Sequence, residues 1–172
     1  MIELQSFLNE DFERLISWVN SEEELVQFAG PFFTFPLTNQ QLQKYKERTD
    51  RRSFKVCYQA TAETIGHCEL NFQSEIPRLS RILIGNETFR GKGLGRKIVA
   101  AMLHILFNEI NVEKVDLSVF DWNIAAIKCY EKIGFRINEG GVSQIVVNGK
   151  TWTSLNMILY KKEFLANSQA LL

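Results

Sequence analysis

The sequence predicts an α/β chain: a mixed, mostly antiparallel sheet of seven strands with a central parallel pair and flanking helices. Two observations carry that expectation. Residues 79–132 read as strand, helix, strand, helix, the order that sets two strands side by side and parallel. Around them lie stretches that read as antiparallel hairpins, 53–60 with 64–72 and 142–147 with 151–160. The second pair turns at Asn148-Gly149, the strongest short hairpin signal.

Taken in order, residues 2–7 alternate apolar and polar side chains as a strand does. Phe12, Leu15, Ile16 and Val19 then recur at i, i+3, i+4 and i+7 behind Asn9, read as the helix cap. Ser21 with Glu24, and Thr38 with Gln41, have capping-box spacing, in which a hydroxyl and a later Glu or Gln each satisfy an orphan backbone N–H, so two more helices are expected. In the strand at 64–72, alternation puts Gly66, Cys68, Leu70 and Phe72 on one face and Ile65, His67, Glu69 and Asn71 on the other. Residues 79–85 read as a buried strand. Leu94 to about Glu109 reads as a helix with Leu94, Ile98, Ala101, Met102 and Ile105 on one stripe. The strand at 114–120 and the helix at 123–132, stopped by Gly134, complete the central run. No linker or repeat interrupts this order, so residues 1–165 are expected to form one domain and 166–172 a C-terminal tail.

Composition narrows the function. Twenty Lys and Arg balance twenty Asp and Glu across 172 residues, 45% of them hydrophobic. A chain without net charge lacks the long-range field that draws proteins to nucleic acid or anionic membranes, so neither is an expected partner. Cys57, Cys68 and Cys129 are an odd, sparse set without CxxC spacing, which argues against a disulfide framework and against a metal site. The first residues lack the basic start and apolar run of a secretory signal, and the longest apolar stretch, 98–107, is far below the roughly 20 residues that cross a bilayer. A cytoplasmic setting is expected.

The chemistry-bearing segment is Arg90-Gly91-Lys92-Gly93-Leu94-Gly95-Arg96, between a buried strand and a helix. It is not a Walker loop: five residues separate Gly85 from Gly91, and Gly93 rather than Ser or Thr follows Lys92. Nor is it the dinucleotide GxGxxG, because the third glycine comes one residue early. The physics still applies. Glycines let backbone N–H groups and a ligand approach closely, and the helix start contributes roughly half a positive charge. Arg90, Lys92, Arg96 and Lys97 add cations, which suits a polyphosphate such as a diphosphate. Downstream, Asn123 is placed to cap a helix, Gly134 to take the left-handed position after it, and Phe135 to pack back on Tyr130.

Together, R-G-K-G-L-G after one strand and N-x-x-A-x-x-x-Y-E-K-x-G-F after the next resemble the GNAT N-acetyltransferase superfamily, and the order of elements agrees along essentially the whole chain. The N-terminal half and the closing V-N-G-K hairpin are most similar in style to the branch of ribosomal-protein N-terminal acetyltransferases and some polyamine and antibiotic acetyltransferases. The resemblance implies that Arg90, Gly91, Lys92, Gly93, Leu94, Gly95 and Arg96 cradle the diphosphate of acetyl-CoA. It implies that Leu83, Ile84 and Gly85 bond its pantetheine arm along a bulged strand, with Gly85 as the bulge. Asn123 would contact the same co-substrate, and Tyr130 would be the general acid for the departing thiolate. In one branch a glutamate lies five residues before the motif Asn; that position here is Ser118, so the candidate base is Glu69, beside His67 and Asn71 on one strand face.

The expected reaction is direct acetyl transfer from acetyl-CoA to a primary amine, in the first place a protein N-terminal amine and, as the alternative, a small amine such as a polyamine or aminoglycoside, by a monomer or homodimer without a metal. The alternative from another class is a non-catalytic acyl-CoA-binding module. Glu22, Glu23 and Glu24 are read as first-turn acids that complement a helix dipole. Trp18, Phe28, Phe32, Phe33, Phe35 and Trp152 are read chiefly as core, with 32–36 loop-like enough to border an acceptor. Cys129 lacks an identifiable base, so a covalent acyl-enzyme is not invoked.

Overall fold

The computed structural model describes residues 1–169. Seven strands form one sheet in the order β1-β2-β3-β4-β5-β7-β6. They are β1 (Ile2–Ser6), β2 (Arg51–Tyr58), β3 (Glu63–Asn71), β4 (Arg78–Ile84), β5 (Lys114–Phe120), β6 (Arg136–Val147) and β7 (Lys150–Tyr160). All neighbours are antiparallel except β4 and β5.

Helices cover both faces. On one lie α1 (Phe12–Ser17), α2 (Glu22–Ala29) and α3 (Asn39–Lys46), and Phe12, Leu15, Leu25, Phe28, Leu42 and Tyr45 pack there with Phe7 and Phe33. On the other lie α4 (Leu94–His104), continued by a wider turn over Ile105–Glu109, and α5 (Ile124–Ile133). Ile98, Met102, Leu103, Leu106 and Phe107 pack onto Val56, Leu70, Leu79, Val115, Leu117 and Met157 of the sheet. The expected caps of α2 and α3 form: Glu24 N–H donates to Ser21 Oγ at 3.1 Å and Gln41 N–H to Thr38 Oγ1 at 3.3 Å. Asn9 does not cap α1. It lies in a short 3-10 turn and its side chain reaches Gln43 and Lys46, while Asp11 Oδ2 accepts from Leu8 N–H at 2.9 Å instead. A sixth helix, α6 (Lys161–Gln169), covers positions read as tail, and 170–172 lie outside the described residues.

Two departures from regular pairing shape the middle of the sheet. β4 and β5 are in register only at Arg78↔Asp116 and Leu79↔Leu117, after which they part. The pairing of β3 with β4 slips between His67↔Leu83 and Glu69↔Ser80, so Arg81 and Ile82 together face Cys68. That is a β-bulge in β4, and Arg81 sits in it with φ +49°. The bulge therefore falls at Arg81 and not at Gly85, which follows the end of the strand. Gly85 is needed for another reason: a Cβ there would run into the Trp18 ring. Across the bulge Leu79, Ile82 and Ile84 reach the same core, a three-residue step that strict alternation forbids.

Candidate active site

Parting the parallel pair opens a cleft of about 740 Å³ between β4 and β5. Ser80 to Ile84 form one wall, Leu117 to Phe120 the other, and α2 borders it through Glu24, Gln27 and Phe28. Because β5 has left, the main chain of β4 beyond Leu79 presents N–H and C=O groups on that side without a strand to take them up. An extended ligand carrying amides can bond there as an added strand would.

The glycine loop closes one end. Asn86 starts it with an Asx turn, its Oδ1 accepting from Thr88 N–H at 3.0 Å, and Arg90 Nε reaches back to Ile84 O at 3.0 Å. Arg90 also pairs with Glu87 at 3.0 Å, so this cation is fastened to the end of β4. Gly91 and Gly93 have φ of +72° and +73°, which favours glycine. Gly93 is the N-cap of α4 and supplies no side-chain cap, so the first amides of the helix face outward. Added Cβ atoms at Gly91, Gly93 and Gly95 would each meet open space. Gly95 lies inside α4 with ordinary helical φ and lines the cleft, so packing does not explain its missing side chain. The open space there leaves room for a ligand to approach the backbone. These residues fit a diphosphate: outward amides, a helix N-terminus, and exposed Lys92, Arg96 and Lys97 around them.

Of the expected site residues, Leu83, Ile84, Arg90, Gly95, Asn123 and Tyr130 line the cleft together. Gly85 borders an adjoining hollow with Trp18 and Asn86. Gly91, Lys92, Gly93 and Arg96 are exposed on the rim, and Leu94 is buried as the anchor of α4 in the core. Asn123 Oδ1 accepts from Ala126 N–H at 3.3 Å, capping α5. That helix ends at Gly134, φ +117°, with Phe135 N–H donating to Tyr130 O at 3.1 Å and the two rings 6.0 Å apart. Burial, with Cys129 beside it, pushes the Tyr130 hydroxyl well above the usual tyrosine range, so it keeps its proton. Burial likewise raises the Cys129 thiol, which leaves it a poor nucleophile.

Glu69 stands elsewhere. It is fully buried beneath α1 to α3, its Oε1 2.5 Å from Arg81 Nη1 and its Oε2 3.7 Å from Arg51 Nη1. The two guanidiniums lie over Phe32, at 4.8 Å for Arg51 and 4.2 Å for Arg81, and the buried hydroxyl of Tyr45 is raised by desolvation and by the Glu69 charge. His67 is also buried, edge-on to Phe7 at 4.8 Å, with Nδ1 3.2 Å from Arg81 O. Desolvation pushes its pKa down to about 4, so the ring is neutral near pH 7. At His67 and Glu69 the face expected to be polar is thus a sealed interior layer, while Asn71 borders the cleft. Arg81, Arg51 and Tyr45 were not singled out by sequence; the broken alternation of L-S-R-I-L-I is the signal that marks the first. Of the aromatic residues, Phe28 and Phe33 are core, Trp18 lines the cleft, and Phe32 and Phe35 are partly exposed.

Among the described residues no group of three His, Cys, Asp or Glu is placed to hold a metal, and no helix is long and apolar enough to cross a membrane. The three cysteines are unpaired with one another.

Comparison with known proteins gives this geometry a family. An aminoglycoside N(6')-acetyltransferase type 1 of Klebsiella pneumoniae is 45% identical over 53 residues, 31% of this chain and 26% of that protein. A spermine/spermidine N(1)-acetyltransferase of Bacillus subtilis is 38% identical over 60 residues, 35% of this chain and 39% of that protein. The matched stretches thus span well under half of these relatives. A crystal structure of spermidine N-acetyltransferase from Vibrio cholerae in complex with CoA and spermine shares the fold, with TM-score 0.78 and 24% identity over 95% of this chain and 98% of that one. These relatives are polyamine and aminoglycoside acetyltransferases, the second part of the branch suggested by the style of the sequence, and not ribosomal-protein N-terminal acetyltransferases, its first. The family model described as "Acetyltransferase (GNAT) domain" matches residues 2–136, and the chain belongs to that family.

Proposed function

We propose that the protein transfers an acetyl group from acetyl-CoA to the amine of a small molecule. The observation that carries this is the junction of three parts in one cleft: the glycine-walled helix start, the free edge of β4 and partly buried Tyr130. The amides of residues 91–96 hold the diphosphate, and the edge of β4 from Arg81 to Ile84 bonds the pantetheine amides. A neutral amine attacks the thioester carbonyl carbon, a C–N bond forms and the C–S bond breaks. Main-chain N–H on β4 donates to the carbonyl oxygen, where one such donor contributes about 3 kcal/mol. Tyr130 gives its proton to the departing sulfur, which needs only modest help because a thiol has a pKa of about 8.5, and the proton that the attacking nitrogen sheds as the amide forms returns through solvent in the cleft to the Tyr130 oxygen.

A small amine is preferred to a peptide N-terminus because the named relatives act on spermine or spermidine and on aminoglycosides. A thiol-release assay over spermidine, aminoglycosides and N-terminal peptides tests this. Release with a small amine is expected. Release with peptides alone would move the acceptor class, and acetyl-CoA binding with no release for any amine would favour a non-catalytic binding module.

A further inference from the structure

The bulge lies in the stretch of β4 that β5 leaves free, and it is an unfavourable conformation for the residue it contains. Arg81 has φ +49°, in the region where a side chain other than glycine crowds its own carbonyl. Such a conformation persists only where the surroundings over-determine it. Here two neighbours on β3 do so, from the layer behind the cleft. Glu69 Oε1 takes Arg81 Nη1 at 2.5 Å, and His67 Nδ1 meets Arg81 O at 3.2 Å. With the ring neutral, Nδ1–H donates and the carbonyl accepts. One residue is therefore gripped at both its side chain and its main chain. The aromatic floor of Phe32, Phe33 and Tyr45 lies under its guanidinium, within 5.9 Å of each ring centroid.

Glu69 is poorly placed to take a proton from an acceptor. Its side chain is fully buried, two guanidiniums share it, and Arg81 stands between it and the cleft that Arg81 lines. The same contacts suit it to hold shape.

We infer that Glu69 and His67 are positioning residues, which act through Arg81 to hold the bulge of β4 in the form that offers its main chain to the acetyl-bearing arm of acetyl-CoA. The inference rests on the acetyl-transfer reading above and adds a role for the layer behind the cleft. Misplacing the reacting group by about an ångström costs on the order of 100-fold in rate. The effect falls on kcat/KM for acetyl-CoA and leaves the shape of the pH profile alone, since no proton passes through Glu69.

The test measures kcat and KM for acetyl-CoA between about pH 6 and 9 for the wild type, Glu69→Gln, Arg81→Gln and the double variant, each checked for folding by circular dichroism. Each single variant is expected to lose about 100-fold in kcat/KM with an unshifted profile, and the double to be no worse than the poorer single, because both remove one latch. His67→Asn, which keeps a donor near the Nδ1 position, is expected to stay within about threefold of wild type, whereas His67→Leu loses about tenfold or more. The histidine pair decides the matter if the Glu69 variants do not fold. Disappearance of the low-pH limb in Glu69→Gln at unchanged KM would make Glu69 the base and overturn the inference; so would additive losses in the double, or equal activity of His67→Leu and His67→Asn. A wild type that binds acetyl-CoA and releases no thiol with any amine fails the functional reading instead.

Discussion

Arg78 and Asp116 stand opposite each other at the closed end of the parallel pair, and the guanidinium donates to both carboxylate oxygens, at 2.8 and 2.7 Å. Asn156 of β7 supports the same carboxylate at 3.0 Å and the Leu117 carbonyl at 3.1 Å. The staple sits one position before the strands part, so it fixes where the cleft begins. Asp116→Ala removes one of the two acceptors of Asn156 Nδ2 and leaves half-exposed Arg78 without its partner, and it is expected to cost about 2 kcal/mol, the scale of charge-assisted hydrogen bonds discounted for the solvent around Arg78. Urea unfolding of the two proteins measures the difference; equal midpoints would show that the pair does not hold the apex.

Gly95 separates folding from binding. Replacing a glycine inside a helix with alanine normally gains about 0.5–1 kcal/mol, and here the new methyl meets only open space. Gly95→Ala is expected to raise the melting temperature slightly and to weaken CoA binding by about tenfold or more, because its methyl stands where the diphosphate approaches. Gly93→Ala should instead lower stability by about 1 kcal/mol, since its φ is +73°. Thermal melts and calorimetry on the same samples read both quantities.

Tyr130→Phe is expected to lower the rate of transfer by about 100-fold while leaving the dissociation constant for acetyl-CoA within about twofold. The raised Tyr130 pKa has a second consequence. A group that holds its proton more firmly when folded stabilises fully below the unfolded value, about 10, and that contribution is lost as pH rises toward the folded value. Wild type should therefore lose stability relative to Tyr130→Phe above about pH 10, read from melts at pH 9 and 11.

His67 gives the acid-side counterpart. Its folded pKa of about 4 lies below the 6.5 of a free histidine, so the unfolded chain binds the extra proton first as pH falls. Neutral burial stabilises fully above about 6.5 and is lost down to about 4, a difference on the order of 3 kcal/mol. The stability gap between wild type and His67→Asn should narrow by that amount from pH 7 to pH 4. A constant gap would show that His67 titrates alike in the folded and the unfolded chain.

Local chemistry was legible in the sequence where one segment suffices to decide it. The Ser21 and Thr38 caps, the Asn123 cap, the Gly134 stop and the whole of β5 fall where their residue types put them. What depends on two segments meeting was not. Periodicity tells which side a residue faces but not how far two strands stay paired, so the parting of β4 and β5 after Leu79 left no mark. Burial is collective too. His67 and Glu69 look like solvent residues until Phe7, Phe28 and Tyr45 close over them from elements far away in the chain. β6 begins at Arg136, ahead of the expected 142, because its pairing with β7 skips four residues between Asn138 and Ser143.

Titration calorimetry of CoA into the folded chain, with Gly95→Ala alongside, tests the central claim most directly. Saturable binding is expected, weakened about tenfold or more by the added methyl. No heat above dilution at about millimolar CoA, or equal affinity in the two proteins, would contradict a diphosphate seated on the first turn of α4.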